Sequence, residues 1–521
     1  MRYSLILAFA LLALNAWGAQ TILIDDLADA RIYGASDQDN IGIWMDGCGD
    51  VNGDGIDDFV LGTDETSGAI GTTPSSFAYI IFGVSDFPAI IDLASPPADT
   101  ITFFQEKFLK VRVAGAGDFN GDGFDDVLIG HSGTLPGQID RGGFAFLMYG
   151  GDEPPQEEID FLDIQVPGLH VLGNRFRGFL GASVDCAGDV NGDGFMDLLI
   201  GAFGRAEGDP EAFVIYGGTD VPSIIEVGNL GSYGVRLTSG DVPANFGIDV
   251  AGVGDVNGDG IDDFLIGDQS DLNVHTNGAC YLIYGATDLP SLIEGNQLGN
   301  RGVLFTGRNQ TDGFGGIVGA VGDVNADGYT DFALTAVLTD LDEKDDVGQV
   351  FLIFGGPDLP NEMSIDHLGI YGITINGNES NGKFGKVDPA GDLNGDGIDD
   401  FMIHRGELSK VFVIWGRKNF WMQSPVDINE LSSVTITDPP APPVRDLGAG
   451  AINAGDINHD GIADLLLSDA FADPHDRFAA GTIYIVFGGK FLPGSADLNS
   501  DGAVNYSDLF LFQSQCMKES Q

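Results

Sequence analysis

Basic residues are scarce in this chain. Lys plus Arg number 23 against 79 Asp plus Glu over 521 residues, giving a formal net charge of −56. Nucleic acid is excluded as a partner, because its binding depends on cationic side chains that neutralise phosphates. Cysteine is almost absent, with Cys48, Cys186, Cys280 and Cys516 the whole set. Their spacing makes neither a disulfide framework nor a zinc site. They read as small buried thiols. There are 7 histidines (His131, His170, His275, His367, His404, His459 and His475), and none lies in a nucleophile–base motif. Beyond residue 20 no stretch is long and apolar enough to span a bilayer. Helical periodicity is missing until about the last dozen residues. What the chain does have is 78 glycines and 43% hydrophobic residues, in short apolar runs between turn residues. That is the composition of an all-β chain with an ample core.

One acidic stretch recurs. Asp255-Val-Asn257-Gly-Asp259-Gly260-Ile261-Asp-Asp263 has seven copies, beginning at Asp50, Asp118, Asp189, Asp255, Asp323, Asp392 and Asp456. Successive copies are 68, 71, 66, 68, 69 and 64 residues apart, a period that marks a repeat architecture. Within each copy, oxygen-bearing side chains fill positions 1, 3, 5 and 9. Glycine at position 6 permits a sharp turn, so that the position 7 carbonyl faces the same centre. Hard oxygens at alternate positions around a tight turn suit Ca²⁺. The expected ligands are Asp50, Asn52, Asp54, Ile56 and Asp58 in the first copy, and Asp118, Asn120, Asp122, Phe124 and Asp126 in the second. The third supplies Asp189, Asn191, Asp193, Phe195 and Asp197, and the fourth Asp255, Asn257, Asp259, Ile261 and Asp263. Asp323, Asn325, Asp327, Tyr329 and Asp331 follow, then Asp392, Asn394, Asp396, Ile398 and Asp400, then Asp456, Asn458, Asp460, Ile462 and Asp464. The alternative is seven metal-free turns in which Asp and Asn cap their own backbone. Turns alone would not keep four ligand positions filled in every copy. The departures at Ala326 and His459 fall at position 4, whose side chain is not a ligand. Seven divalent ions would offset about a quarter of the net charge, and without them the carboxylates repel.

Each repeat has one internal order. In the fourth, Phe246-Gly247 opens an alternating strand, the acidic loop follows, and then come strands Phe264–Ile266, Ala279–Ile283 and Gly302–Phe305. An aromatic-glycine pair closes the third strand of every repeat: Phe82-Gly83, Tyr149-Gly150, Tyr216-Gly217, Tyr284-Gly285, Phe354-Gly355, Trp415-Gly416 and Phe487-Gly488. These aromatics are expected in the core. The last repeat lacks a fourth strand, and a segment of fourth-strand type, Ile22 to Leu27 and then Arg31 to Tyr33, lies near the N-terminus. The expected fold is therefore a seven-bladed β-propeller of four-stranded blades, closed by the N-terminal strand completing the last blade.

The order Phe-Gly, then Gly-Asp-Val-Asn-Gly-Asp-Gly, then Leu199-Ile-Gly-Ala202 resembles the FG-GAP repeat of integrin α-subunit propellers. The resemblance covers roughly residues 20 to 490. It implies calcium at the loops and a ligand-binding face opposite them. The chain departs from the pattern at Ile41-Gly42, Phe108-Leu109 and Leu447-Gly448, and at the second glycine cluster around Gly62, Gly130 and Gly267. These are packing positions, and the metal ligands are intact.

The ends read differently. Residues 1–19 look like a secretory leader, with Met1-Arg2, an apolar run through Leu14 and small residues around Ala16-Trp-Gly18 and Ala19. A membrane anchor is the other reading. In residues 491–521, Asp497, Asn499, Asp501, Ala503 and Asp508 have EF-hand ligand spacing. This tail resembles one half of a type I dockerin, the module that docks on cohesins. The family's recognition positions correspond to Tyr506 and Ser507. The resemblance implies a cohesin-like partner, and a calcium-tied terminal cap is the other reading.

Three functions fit. The first is a secreted or surface recognition module, non-enzymatic, with structural calcium (about seven ions in the propeller and one in the tail) and a protein or glycan ligand on the opposite face. There the loops Asn174 to Arg177, basic and aromatic, and Thr339 to Asp346, acidic, stand out against ordinary solvated loops. The second is a carbohydrate-binding or scaffold-associated subunit docked through the tail. The third is an extracellular polysaccharide hydrolase or lyase, for which the repeats leave no separate catalytic domain.

Overall fold

A computed structural model describes residues 20–491, except 64–75, 98–99, 106–110, 135–141, 153–158, 161–162, 164, 175–177, 205–209, 241–244, 270–276, 406–408, 419, 421–423 and 439–445. The leader, the tail loop at 497–508, Cys516, Phe108-Leu109 and Arg175 to Arg177 lie outside the described residues.

The chain forms a seven-bladed β-propeller. Its seven sheets each hold four antiparallel strands, in sequence order from the axis outward in every blade but the last. In blade 4 these are Phe246–Gly254, Asp263–Asp268, Ala279–Ile283 and Gly302–Thr306. Apolar side chains on both faces of each sheet meet those of the two neighbouring sheets, so the core is divided into seven layers between blades. This is why the second strands read as unbroken apolar runs: Asp263–Asp268 and its counterparts are buried at every residue.

The sheets carry one more strand than expected. The connection between the third and fourth strands of each blade contributes a short segment to the sheet of the blade before it. Leu292–Glu294, from blade 4, pairs in parallel with Gly234–Thr238 of blade 3. Only its central residue, Ile293, is buried. One apolar residue between two exposed ones is too short a signal to read as a strand.

Ring closure follows the expected route and goes further. Ala30–Tyr33 pairs antiparallel with Thr482–Val486 and so becomes the fourth strand of blade 7. Gln20–Leu23 pairs in parallel with Val434–Thr437 as the fifth strand of blade 6. Between them a single helical turn, Ile24–Leu27, buries Ile24 and Leu27. The first residues of the propeller therefore strap two blades together. The layer between blades 7 and 1 joins Ile32, Ile483 and Ile485 to Phe59, Leu61 and Tyr79.

The first strands line the axis. Asp46, Asp185 and Asp249, from blades 1, 3 and 4, accept from the N–H groups of Gly115, Gly252 and Val318 in the next blade, at 2.9, 3.0 and 3.0 Å. Lys386, Asp388 and Arg112 share this channel, with the Arg112 guanidinium 3.4 Å from the Trp44 ring centroid. Removal from bulk water pushes Asp46 up to about 7 and Asp249 up to about 6. Cys48 and Cys280 are free buried thiols, as expected, whereas Cys186 is free and only partly buried.

Two outcomes follow. Deleting residues 20–33 should leave an open edge on blade 7, seen as aggregation or a lowered melting temperature. A carboxyl group held neutral in the fold loses stability as pH rises from its ordinary range towards its raised value. Asp46→Asn should therefore melt no lower than the wild type at pH 7.5, and its relative advantage should shrink towards pH 5, in parallel thermal scans.

Candidate metal centres

Each acidic loop joins the first and second strands of its blade, and in all seven the N–H groups of positions 5, 6 and 7 are bonded alike. At position 1, one Asp255 carboxylate oxygen accepts from the N–H groups of Gly258 and Asp259, at 2.7 and 3.0 Å. The other accepts from Gly260, at 2.8 Å. At position 5, Asp259 accepts from the Ile261 N–H at 3.1 Å. The position 6 N–H reaches position 1, and the position 7 N–H reaches position 5, in every copy. The loop is thus wound around its own first carboxylate. Position 4 has positive φ throughout, including Ala326 at 55° and His459 at 62°. The departures at position 4 therefore carry a backbone cost that the ligand pattern did not reveal.

Position 9 is different. Asp58, Asp126, Asp197, Asp263, Asp331, Asp400 and Asp464 are 0% exposed. Each accepts at least two backbone N–H groups. In the fourth loop these come from Val256, at 3.0 Å, and from Gly285, at 2.9 Å. Burial pushes Asp263 up to about 8, and the like charges of Asp259 and Asp255 add to the shift, against the pull of the two N–H bonds. Asp58, Asp197, Asp331 and Asp400 are likewise pushed up to about 8, and Asp126 and Asp464 to about 7. A buried carboxylate beside two others needs a proton or a cation.

The donor chemistry suits a hard divalent cation: carboxylate, amide and carbonyl oxygens, with no nitrogen or sulfur ligand. The side chains are not drawn into a closed cluster. Among the described residues, no three His, Cys, Asp or Glu side chains are gathered closely enough to hold an ion as they stand. The asparagines show why. Asn191, Asn325, Asn394 and Asn458 point their amide N–H at the position 9 carboxylate, at 3.2 to 3.4 Å. Asn52, Asn120, Asn257 and Asn458 accept from the position 5 N–H. Rotating the amide exchanges its nitrogen for its oxygen at the same point, and each carboxylate oxygen keeps a second lone pair. The residues fit a cation, then, but their side chains are directed at one another.

Two classes of functional residue escaped the sequence reading. One is the glycine of each aromatic-glycine pair. Gly285 gives its N–H to Asp263, and a Cβ there would lie 2.6 Å from Ile261 Cγ2 and 2.8 Å from the Val190 carbonyl oxygen of the preceding loop, besides striking the Asp262 carbonyl. All seven such glycines donate to position 9. Their regular place after the aromatic was the available signal. The other is the side chain at position 8, described below. The aromatics themselves pack against the core, as expected. The acidic loop Thr339 to Asp346 is an ordered turn, with Asp340 accepting from the Asp346 N–H at 2.8 Å and Lys344 bonded to the Asn378 carbonyl at 2.8 Å. Antiparallel strand order sets such second-to-third-strand connections at the end of the blade away from the acidic loops.

The FG-GAP repeat family matches residues 182–212, which run from just before the first strand of blade 3 into its third. The propeller is similar to those of integrin α-subunits. Integrin alpha pat-2 of Caenorhabditis elegans is 27% identical over 246 residues, 45% of this chain and 18% of that protein. Integrin alpha-5 of Xenopus laevis is 31% identical over 161 residues, 29% of this chain and 14% of that protein. Integrin alpha-4 of Xenopus laevis is 32% identical over 158 residues, again 29% and 14%. The chain spans less than a fifth of the length of these relatives. The two halves of the repeat motif meet across a blade boundary: Gly201 of blade 3 packs so closely on the Gly247 carbonyl of blade 4 that a Cβ would collide with it.

Gly285→Ala should cost roughly 3 kcal/mol, at the upper end for overpacking against backbone. Gly260→Ala, with open space around it and only a φ of +88° to oppose a side chain, should cost about 1 kcal/mol. Denaturant midpoints of the two variants at constant calcium would test the ranking.

Proposed function

We propose that this chain is a calcium-binding propeller, secreted or surface-exposed, that acts as a non-enzymatic recognition module in adhesion. The observation that carries the calcium reading is the wholly buried carboxylate at position 9, repeated seven times beside two further loop carboxylates and bonded to the glycine at the blade junction. Asp, Asn and Asp at positions 1, 3 and 5, the position 7 carbonyl and the position 9 Asp are the ligands, with about one ion per loop. The recognition reading is supported by the similarity to integrin α-subunits. In this reading residues 1–19 direct export, 20–490 form the propeller and 491–521 hold one more calcium. A protein or glycan ligand meets the face of the second-to-third-strand connections, and a cohesin-like partner of the tail is a separate outcome. Among the described residues, no helix is long and apolar enough to cross a membrane.

Calcium is structural in this proposal. Binding to the folded state alone stabilises by RT ln(1 + [Ca]/Kd). With Kd on the order of 10⁻⁴ M, millimolar calcium gives roughly 1.4 kcal/mol per site, and seven sites roughly 10 kcal/mol. That equals the whole net stability of an ordinary domain. Melting in millimolar calcium and in excess chelator should differ widely, Asp259→Ala should remove one site at a cost of roughly 1 to 2 kcal/mol, and elemental analysis should find about eight calcium ions per chain. Superimposable melting curves, or two ions or fewer, would sink the proposal. A glycan and protein array with a turnover assay beside it separates recognition from polysaccharide cleavage.

A further inference from the structure

The acidic loops touch one another around the ring. The N–H of position 1 in one loop is bonded to the position 8 carboxylate of the next. Asp50 donates to Asp125 at 2.9 Å, Asp189 to Asp262 at 2.9 Å, Asp323 to Asp399 at 2.8 Å and, across the closure, Asp456 to Asp57 at 2.7 Å. The glycine before position 1 makes room for this bond. Gly188, with φ of +81°, sits so close that a Cβ would strike the Asp262 side chain, and Gly49, Gly322 and Gly455 stand likewise over their own carboxylates. At the other three junctions position 8 is Met196, Thr330 or Ala463. Two of these junctions keep the backbone bond from the position 8 N–H to the position 1 carbonyl, at 3.4 Å each. What they lack is the carboxylate.

We propose that Asp57, Asp125, Asp262 and Asp399 are positioning residues that couple each metal loop to the one in the next blade, leaving three junctions uncoupled. The inference rests on the calcium reading. Position 1 is the residue around which its loop is wound, so fixing its backbone fixes where its carboxylate stands. Asp262 supplies that fixture for loop 3 from the body of blade 4, and its own charge faces the first carboxylates of both loops, Asp189 and Asp255. A cation that draws in Asp189 orders the loop 3 backbone bonded to Asp262, and Asp262 stands next to the loop 4 ligand Asp263, so a cation in either loop helps to order the other. Such coupling is reciprocal. Breaking one bond from an N–H to a carboxylate should weaken the dependent site roughly tenfold.

The test uses the full exported protein and reads the rise in melting temperature on adding millimolar calcium after chelation. Asp193→Ala removes the loop 3 site, Asp262→Ala removes the tie, and a third variant carries both. The tie should lose most of what Asp193→Ala loses, and the double variant should match Asp193→Ala alone. Thr330→Ala paired with Asp259→Ala, at an uncoupled junction, should show simple addition. Additive losses for Asp262 and Asp193 in a protein whose wild type responds to calcium overturn the coupling and leave the calcium reading intact. A wild type with no calcium response overturns both. Should Asp262→Ala fail to fold, Met196→Asp adds a tie where none exists. It should tighten calcium at loop 2 several-fold by calorimetry, and unchanged affinity there counts against the coupling.

Discussion

A carboxyl group with no exposed surface sits at every blade junction, and both the loop and the end of the third strand supply N–H groups to hold it. Its two oxygens take N–H groups from the loop's second residue and from the glycine that ends the third strand. These bonds fix the loop to the sheet and turn the glycine towards the neighbouring loop. The same backbone then bonds across the boundary, as Ala286 does to the Val190 carbonyl at 2.9 Å. Local turn, blade and ring thus share a single polar network, and the apolar layers between sheets fill the space it defines.

Much of this was legible in the sequence. The loop spacing revealed the blade count, and the missing last strand, matched by the segment ending at Tyr33, revealed the closure. Both signals are regular and repeat many times along the chain. The fifth strands were not legible, because a single buried residue such as Ile293 between exposed neighbours has no period. The role of Gly285 was only half visible, since its partners come from another blade. Position 8 carries no signal in the loop spacing, because its residue varies among Asp, Met, Thr and Ala. Its purpose appears only when Asp189 and Asp262, far apart in sequence, are brought face to face.

The ring divides its labour by face. Acidic loops and their ties occupy one end of the blades, where every residue has a geometric duty and the spacing hardly varies. Connections at the other end differ from blade to blade in length and charge, from the ordered acidic turn at Asp340 to the Arg477 loop, whose guanidinium bonds Asp92 at 2.7 and 2.9 Å.

The strap formed by residues 20–33 gives the fold a temporal order. These residues leave the ribosome before any blade exists, yet their partners, Val434–Thr437 and Thr482–Val486, are made only after the first five blades. The ring therefore closes in one late step with a very long loop, which is slow for any chain. Until then both sheet edges remain open, and the strap of one molecule fits the waiting edges of a second as well as its own. Late closure thus opens a window for strap exchange between molecules, which dilution disfavours.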